Sequence, residues 1–371
     1  MPDYQHRQAL LRRRMTEAGV DALWLAAQEN VRYACGFAGE DSTLLVTADR
    51  TALLTDSRYT EQAERETVAD EIVTRHTTMA RTVAGLCRTL GVRRLGFTAA
   101  NVPHAAFLAL REEAASVELR ALRDGPVEKL RRRKDPAEVE VIRRALRTAE
   151  EAFLTTMRQA EPGRTESWLA GHLEFEMRKR GAEDAAFDII CAADAGASMP
   201  HARTGQTALA PGGSLLVDWG AKQAGYCCDL TRTLCVDRIP DTLKDASEVV
   251  LEAQAAVFEV LKPGNPCGDA DAAGRALIAR AGHGGHFGHS MGHGVGLQVH
   301  EAPRLGPGSD TVLLPGMVVT VEPGIYIPGE LGVRIEEMVL ITTEGHEVLT
   351  SLPRRPEQLR ALLDSGASDT N

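Results

Sequence analysis

The chain has 371 residues, and at roughly 150 residues per domain this length predicts two domains. Hydrophobic residues make up 43% and charged residues 25% of the chain, which excludes a collagen, a coiled coil or a wholly disordered protein. The formal net charge of −10 gives nucleic acid no electrostatic attraction, so we expect no nucleic-acid partner.

Localisation is predicted from what the sequence lacks. No window of about 18 uncharged apolar residues occurs, so we expect no membrane span. The first residues, MPDYQHRQALLRRRM, contain no apolar segment, so we expect no signal peptide. The seven cysteines include no C-x-x-C pair, which indicates reduced, buried thiols in a cytoplasmic protein.

The first third of the chain predicts a small α/β domain. Residues 3–18 have the pattern of an amphipathic helix that ends at Gly19, and a second helix is expected to start near Tyr59. Short apolar runs predict strands at Ala22–Ala26, Thr43–Thr47, Thr51–Thr55 and Leu95–Thr98. Strands that alternate with helices favour a mostly parallel or mixed sheet.

A long helix is predicted to open the second domain. Asp135 is a good N-cap, Pro136 suits the first helical position and Glu138 sits where a capping box needs an acid. Apolar residues then recur at helical spacing. The basic run Arg131–Lys134 just before this helix is interpreted as a solvated face.

Gly125 and Pro126 mark the domain junction. We therefore expect a smaller α/β domain over residues 1–125, a larger domain over 126–364 and a disordered tail over 365–371. Helices are predicted near 243–261 and 268–281. After residue 210, β-rich runs separated by Gly and Pro predict an α+β fold with antiparallel hairpins.

Two of these hairpins carry acids where apolar residues are expected. In LLVDWGAKQAGYCCDLTRT, a turn near Lys222–Gly225 would place Asp218 opposite Asp229. In VVTVEPGIYIPGELGVRIEEMVLI, Glu322 and Glu336 are symmetric about Gly329. Buried carboxylates are costly without cations, so four acids in two similar hairpins predict a carboxylate-lined metal site.

Histidines are concentrated beside these hairpins. Five of the eleven lie in the Gly-rich segment that reads HGGHFGHSMGHGVGLQVHEAP, at positions 283, 286, 289, 293 and 300. Glycine lets the backbone approach a ligand closely. The tract therefore indicates further metal-binding or catalytic groups, although loose metal scavenging remains an alternative.

These motifs resemble the pita-bread metallopeptidases: Xaa-Pro dipeptidase (prolidase), aminopeptidase P and methionine aminopeptidase. The matching runs are VDWGAKQAGYCCDLTRT, FGHSMGHGVGLQVHE, VVTVEPGIY and GVRIEEMVLIT, with weaker matches in KLRRRKDPAEVEVIR, NVRYACGF and TDSRYTEQA. The resemblance covers nearly the whole chain. It implies a C-terminal pita-bread (creatinase/aminopeptidase) fold that follows a creatinase/prolidase-type N-terminal α/β domain.

The resemblance also implies two divalent metal ions, with Mn²⁺ favoured by the oxygen-rich ligands and Co²⁺ or Zn²⁺ as alternatives. Asp229 and Glu336 would bridge both ions. Asp218 would complete the ligand set of one ion, and His293 and Glu322 would complete that of the other. The metals would supply a bridging hydroxide as the nucleophile.

Further residues receive roles from the same resemblance. Glu322 would move the proton of the attacking water. His300 matches the catalytic imidazole, His289 a second histidine beside the metals, and His201 a histidine near the substrate. Arg334 and Tyr326 would line the substrate site. Glu337 receives no ligand role, because it points to the opposite face of its strand.

One departure from the family pattern concerns the rim of the substrate site. The stretch before His201 reads CAADAGASMPH, where the family often has Ser-Gly at the positions of Ala193 and Asp194. This departure affects the detailed shape of the rim and leaves the metal site unchanged.

Within the family, the two-domain length argues against methionine aminopeptidase, and the presence of all five ligands argues against creatinase-like relatives. The resemblance favours a prolidase that cleaves Xaa-Pro dipeptides. Aminopeptidase P, acting on longer proline-containing peptides, is the alternative, and a non-catalytic scaffold with the same fold is the alternative of another class. A dipeptidase needs a cation near the Pro carboxylate, for which Arg32, Arg58 and Arg304 are candidates. The resemblance also implies a homodimer.

Overall fold

The computed structural model describes residues 2–123, 125–236 and 239–365. The chain divides into two compact units, Met1–Arg131 and Arg132–Asn371. The division falls after a short helix, Pro126–Arg131, that packs with the helices of the first unit. Among the described helices, none combines the length and the apolar character needed to cross a membrane.

The first unit is built on one six-stranded mixed sheet. Its strands are β1 (Ala22–Leu25), β2 (Thr43–Thr47), β3 (Thr51–Thr55), β4 (Glu71–Thr74), β5 (Arg94–Thr98) and β6 (Glu118–Leu122). They lie in the order β4-β3-β2-β1-β5-β6. β2 runs antiparallel to both neighbours, and the other pairs are parallel. The predicted mixed sheet is therefore confirmed.

Helices connect these strands. They are α1 (Tyr4–Glu17), α2 (Gln28–Cys35), α3 (Thr60–Glu66), α4 (Met79–Thr89), α5 (His104–Glu113) and α6 (Pro126–Arg131). α1 is one residue shorter at each end than predicted, because Asp3 is its N-cap and Ala18 its C-cap. The Asp3 side chain accepts a hydrogen bond from the His6 N–H. α4 and α5 pack on the face of the sheet that carries Trp24 and Phe97.

The second unit contains α7 (Pro136–Met157), α8 (Glu166–Lys179), α9 (Asp241–Val260), α10 (Cys267–Ile278) and α11 (Pro356–Ser365). α7 begins with the predicted capping box between Asp135 and Glu138. The two helices predicted near 243–261 and 268–281 are present as α9 and α10. Because α11 ends at Ser365, this residue is not part of a disordered tail; residues 366–371 lie outside the described part of the chain.

The strands of the second unit are short. They are β7 (Asp184–Ala185), β8 (Ile190–Ala193), β9 (Ser214–Trp219), β10 (Ala221–Gln223), β11 (Tyr226–Cys227), β12 (Leu230–Cys235), β13 (Gly292–Gly294), β14 (Glu301–Leu305), β15 (Val318–Val321), β16 (Gly324–Ile327), β17 (Leu331–Arg334), β18 (Glu337–Ile341) and β19 (His346–Val348). The main sheets have the orders β12-β9-β8 and β14-β13-β15-β18-β19, and β16 pairs with β17. The predicted α+β fold with antiparallel hairpins is confirmed.

The first acidic hairpin has a different register from the predicted one. β9 pairs with β12 so that Asp218 lies opposite Thr231, not opposite Asp229. The turn lies at Ala224 and Gly225, whose φ angles of 46° and 80° fit a two-residue hairpin turn. Asp218 and Asp229 are consequently diagonal neighbours on one face, since side chains alternate along a strand.

The second acidic hairpin has the predicted register. β16 pairs with β17 about Gly329, whose φ of 73° suits the turn, and Val321 lies opposite Glu337 in the adjoining ladder. Glu322 and Glu336 therefore lie opposite each other between the two ladders.

The interpretation of Arg131–Lys134 as a solvated face is wrong for two of its members. Arg131 is 4% and Lys134 6% exposed. Arg131 Nη1 donates a hydrogen bond to Asn30 Oδ1, and Lys134 Nζ lies 2.7 Å from the Glu301 carboxylate. A basic run does not show which of its side chains find acidic partners elsewhere in the chain. All seven cysteines are buried and free, as predicted.

Candidate metal centre

A cavity of about 790 Å³ lies in the second unit. Its lining includes all five predicted metal ligands, and also His201, His289, His300 and Arg334. Tyr326 is not among the lining residues, but its hydroxyl hydrogen-bonds with two of them, His289 and Arg334. Of the five histidines in the Gly-rich segment, His283 and His286 lie outside the lining and contact each other instead.

Short strands carry the acids to the cavity. Asp218 is on β9, and Asp229 directly precedes β12. Glu322 follows β15, and its N–H donates to the carbonyl of Met291. Glu336 lies between β17 and β18, and its N–H donates to the carbonyl of Thr231. Backbone hydrogen bonds thus hold both glutamates where the two antiparallel sheets meet.

Glu337 lies on the other face of β18, as the alternation along a strand predicts. Its carboxylate forms a 2.7 Å ion pair with Arg232, and both side chains are almost fully buried. The structure therefore gives Glu337 a partner away from the cavity.

His293, on β13, presents one ring nitrogen to the acids. Its Nδ1 lies 3.1 Å from the carbonyl oxygen of Gly294, which fixes the proton on Nδ1. Its Nε2 lies 3.5 Å from both Asp229 Oδ2 and Glu322 Oε1. Two atoms that each bind one ion at about 2.1 Å are about 3.0–3.4 Å apart, so this spacing is close to that of shared metal ligands.

Three groups of ligand atoms lie within 4.8 Å of one another around the cavity. They are Asp229–His293–His300, His293–Glu322–Glu336 and Asp218–Asp229–Glu336. Asp229 and Glu336 each belong to two of these groups. His293 also belongs to two groups, but a carboxylate has two oxygens to offer where an imidazole has one free nitrogen, so Asp229 and Glu336 are the residues that could serve two ions.

The acids are short of positive charge. Burial raises the pKa of Asp229 well above its usual range, and the neighbouring carboxylates raise it further. The pKa of Glu336 is raised for the same reasons, and burial raises that of Glu322 to about 8. Asp218 Oδ1 is buried and has no hydrogen-bond partner among the described residues. The donor set thus fits hard divalent cations.

Burial favours the neutral form of three of the cavity histidines. Burial lowers the pKa of His289 and of His293 to about 4, and it also lowers that of His300. The rings of His293 and His300 lie 4.3 Å apart, edge to face. Neutral imidazoles can bind a metal ion or hydrogen-bond a substrate without adding charge.

Arg334 connects the acids to the residues behind them. It donates from Nη2 to Asp218 Oδ2 (2.7 Å), from Nη1 to the Tyr326 hydroxyl (2.8 Å) and from Nε to Thr231 Oγ1 (3.0 Å). The Tyr326 hydroxyl also lies 2.9 Å from His289 Nε2. His289 Nδ1 contacts the Ser290 carbonyl, so the tyrosine hydroxyl donates to Nε2 while it accepts from Arg334.

Sequence reasoning missed Thr231 and the pair Lys134–Glu301. Thr231 donates to Glu336 Oε2 at 2.7 Å while it accepts from Arg334. Its position two residues after Asp229, on the same strand face, is a signal that could have found it. Glu301 lines the cavity next to His300 and pairs with Lys134, and no local pattern indicates this pairing.

Two family models match the chain. Residues 140–343 match Metallopeptidase family M24, and residues 7–132 match the Creatinase/Prolidase N-terminal domain. The chain belongs to metallopeptidase family M24, whose members are dinuclear metal-dependent hydrolases. The predicted pita-bread fold with a smaller N-terminal α/β part is thereby confirmed.

Relatives extend over almost the full chain. The solved Xaa-Pro dipeptidase from Bacillus anthracis is 39% identical with a TM-score of 0.91, and the match covers 95% of this chain and 99% of that one. The solved X-Pro aminopeptidase from Thermotoga maritima is 34% identical with a TM-score of 0.85, over 92% and 98% of the two chains. The Xaa-Pro dipeptidase of Pyrococcus horikoshii is 33% identical over 92% of this chain and 95% of its own.

Proposed function

We propose that this metallopeptidase is an Xaa-Pro dipeptidase that hydrolyses the bond before proline with two divalent ions. The observation that carries the proposal is the convergence of four carboxylates and the His293 Nε2 at the spacing of shared metal ligands. Relatives named as Xaa-Pro dipeptidases supply the substrate class.

Asp218, Asp229, His293, Glu322 and Glu336 would hold the two ions, and Asp229 and Glu336 are the proposed ligands common to both. Four carboxylates and one imidazole are a hard donor set, which favours Mn²⁺, with Co²⁺ and Zn²⁺ as alternatives. Bound divalent ions would acidify a water molecule and polarise the scissile carbonyl. The other steps of the reaction are assigned to side chains of the protein.

Glu322 is the proposed proton carrier. It faces the cavity, and an ionised carboxylate there can accept a proton from water. It takes the proton of the attacking water and passes it to the proline nitrogen that leaves.

His300 and His201 are the proposed contacts to the substrate. Both line the cavity and are exposed enough to meet a peptide. A neutral His300 can donate a hydrogen bond to the oxyanion that develops on the scissile carbonyl. A positioning role is proposed for Arg334, Tyr326 and His289, because their mutual hydrogen bonds hold Asp218 and the His289 ring in place.

Arg304 is the proposed partner of the proline carboxylate. Arg304 and Arg334 are the two guanidinium groups in the described lining, and Arg334 is committed to Asp218. Arg304 is anchored by a 2.6 Å hydrogen bond from Nε to Ser290 Oγ, which leaves its terminal nitrogens for a carboxylate. Arg58 instead pairs with Asp41 and Asp56 in the first unit.

An X-Pro aminopeptidase is the alternative, favoured by the similarity to the Thermotoga maritima enzyme. A non-catalytic scaffold is the alternative of another class. The predicted N-terminal domain over 1–125 and catalytic domain over 126–364 also remain proposals, with the helix Pro126–Arg131 moved to the N-terminal domain because the chain divides after it. We further propose a homodimer and a cytoplasmic location, the latter supported by seven free cysteines.

The test compares Ala-Pro with Ala-Pro-Ala as substrates of the Mn²⁺-loaded protein, each with and without chelator. Chelator-sensitive cleavage of Ala-Pro alone supports the dipeptidase, and Arg304→Gln should then raise the KM for Ala-Pro. Efficient cleavage of Ala-Pro-Ala identifies an aminopeptidase. If metal binds and neither peptide is cleaved, the peptidase proposal is wrong.

A further inference from the structure

An irregular loop brings His201 to the cavity of the second unit. The loop leaves β8 after Ala193, and residues 194–205 are called the rim loop from here on. Pro200 and His201 line the cavity from this loop. The imidazole of His201 forms no hydrogen bond with a described residue, so the position of the ring depends on the backbone of the rim loop.

One buried carboxylate holds both ends of the rim loop. Glu166, the first residue of α8, is 4% exposed. Its Oε1 accepts a hydrogen bond of 2.8 Å from the Ala193 N–H, and its Oε2 accepts one of 2.8 Å from the Gly205 N–H. The Thr204 hydroxyl adds two hydrogen bonds between the rim loop and β8. Hydrogen bonds to a carboxylate are stronger than those between neutral groups, so Glu166 is a main support of both ends.

The rim loop starts with a strained residue. Asp194 has a φ of 49°, in the left-handed region that few residues other than glycine adopt. Such a conformation persists only where the surroundings stabilise it. Asp194 Oδ1 accepts a hydrogen bond of 2.8 Å from the Ser214 N–H at the start of β9, and this bond ties the loop to the neighbouring strand. Together with Ala193, Asp194 departs from the family pattern described above.

The middle of the rim loop is also held in place. Arg334 Nη1 donates a hydrogen bond of 3.2 Å to the carbonyl of Pro200. Ala197 and Ala202, which are 1% and 7% exposed, belong to one small apolar cluster with Leu216 of β9. The loop is therefore already ordered before a substrate enters the cavity. A group that is held in place beforehand loses less conformational entropy when a ligand binds.

We infer that Asp194 and Glu166 are positioning residues of the substrate site, which hold the rim loop so that His201 is in place when the peptide binds. The inference rests on the proposed function, because it concerns the proposed contact between His201 and the peptide. Both residues act on substrate affinity through His201. Neither contacts a proposed metal ligand through a hydrogen bond, so the metal content of the protein does not depend on them.

The kinetic test uses the full-length, Mn²⁺-loaded protein with Ala-Pro as the substrate. Asp194→Gly removes the hydrogen bond to Ser214 and adds no strain, because glycine suits a φ of 49°. We expect the KM to rise about tenfold with little change in kcat. Asp194→Asn is the matched variant, because its amide oxygen also accepts the Ser214 N–H and asparagine tolerates this φ. Its KM should stay within about threefold of the wild-type value.

A double-mutant cycle tests whether Asp194 acts through His201. His201→Ala should itself raise the KM, and Asp194→Gly added to it should change the KM by less than about threefold, because coupled residues have non-additive effects. Effects that multiply as for independent sites would overturn the inference. Glu166→Gln should raise the KM as Asp194→Gly does, whereas Glu161→Gln, at an exposed position before the same helix, should leave the KM unchanged.

Hydrogen exchange distinguishes failure of this inference from failure of the proposed function. Without substrate, the peptide that spans residues 193–205 should exchange at least about tenfold faster in Asp194→Gly and Glu166→Gln than in the wild type. If this occurs and the wild type cleaves no Xaa-Pro peptide, the two residues hold the loop but their role toward a peptide falls with the proposed function. If the wild type is active and either the KM or the exchange is unchanged in both variants, the inference is wrong. Loss of metal from either variant would also overturn it, because the effect would then act through the metal centre.

Discussion

Arg334 donates a 2.7 Å hydrogen bond to Asp218 Oδ2, while the other carboxylate oxygen, Oδ1, is buried without a hydrogen-bond partner among the described residues. The guanidinium therefore orients the carboxylate through one oxygen, and the other oxygen receives no hydrogen bond from the described residues. A single arginine cannot neutralise four surrounding carboxylates, and this imbalance is the physical reason for expecting cations there.

Asp229→Asn should abolish dinuclear metal binding. Asp229 belongs to two of the three ligand groups, and an amide cannot replace a bridging carboxylate. We expect activity on Ala-Pro to fall by more than about 100-fold and the metal content, measured by atomic emission, to drop. Asp188→Asn, an exposed acid of the same cavity outside those groups, is the control and should keep both metals.

His300→Ala should impair the chemical step while metals remain bound. If His300 stabilises the oxyanion, kcat should fall by about 10²–10³ with little change in metal content. His286→Ala is the matched control, because His286 lies in the same Gly-rich segment outside the cavity lining. Full activity of His300→Ala would contradict this role.

Thr231→Val tests the hydrogen bonds behind the acids. Valine keeps the shape of threonine but lacks the hydroxyl, which donates a hydrogen bond to Glu336 and accepts one from Arg334. Loss of such support costs about 10–100-fold in metal affinity, which a Zn²⁺ or Mn²⁺ titration against a chelator would measure. Thr231→Ser keeps the hydroxyl and should restore the affinity; equal affinity in Val and Ser variants would refute the role.

Lys134→Met should destabilise the fold. Lys134 and Glu301 are 2.7 Å apart, with side chains 1% and 7% exposed, so the variant removes a cation next to a nearly buried carboxylate. The expected loss is about 3–5 kcal/mol in the free energy of unfolding, measured by urea denaturation. The double variant Lys134→Met/Glu301→Gln should recover most of this loss, whereas Arg133→Met, at an exposed position, should cost little.

The stability of the metal-free protein should fall as pH rises from about 6.5 to 8. Burial raises the pKa of Glu322 in the folded state from its ordinary value of 4.5 to about 8, so in this window the folded state holds a proton that the unfolded state has released. The lowered pKa of His289 and of His293 makes stability rise with pH instead, but only below pH 6.5, the ordinary pKa of histidine.

Thermal or urea unfolding in chelator across this window checks the sign. A loss of the order of 2 kcal/mol is expected from one such group. Glu322→Gln should flatten the dependence, and added Mn²⁺ should remove it. A metal-free protein that gains stability over the same window would contradict the raised pKa.

Much of the molecule was predictable from local patterns. Apolar runs predicted β1, β2, β3 and β5 of the first unit but not β4 or β6. Asp135 and Glu138 predicted the capping box of α7, and Gly329 predicted the register that places Glu322 opposite Glu336. These features depend on residues close in sequence, whose periodicity and turn chemistry act locally.

Only the tertiary structure decided the rest. The Asp218 hairpin turns at Ala224, a residue that rarely adopts a positive φ, so its register could not be read from the sequence. The partners Thr231–Glu336 and Lys134–Glu301 are 105 and 167 residues apart in the sequence, so no local pattern indicates them. The sequence by itself determined which residues can do the chemistry. Packing between distant segments decided which of their oxygens and nitrogens stay free for it. The physical reason is that a buried polar atom gains or lacks a hydrogen-bond partner only through the neighbours that folding brings to it.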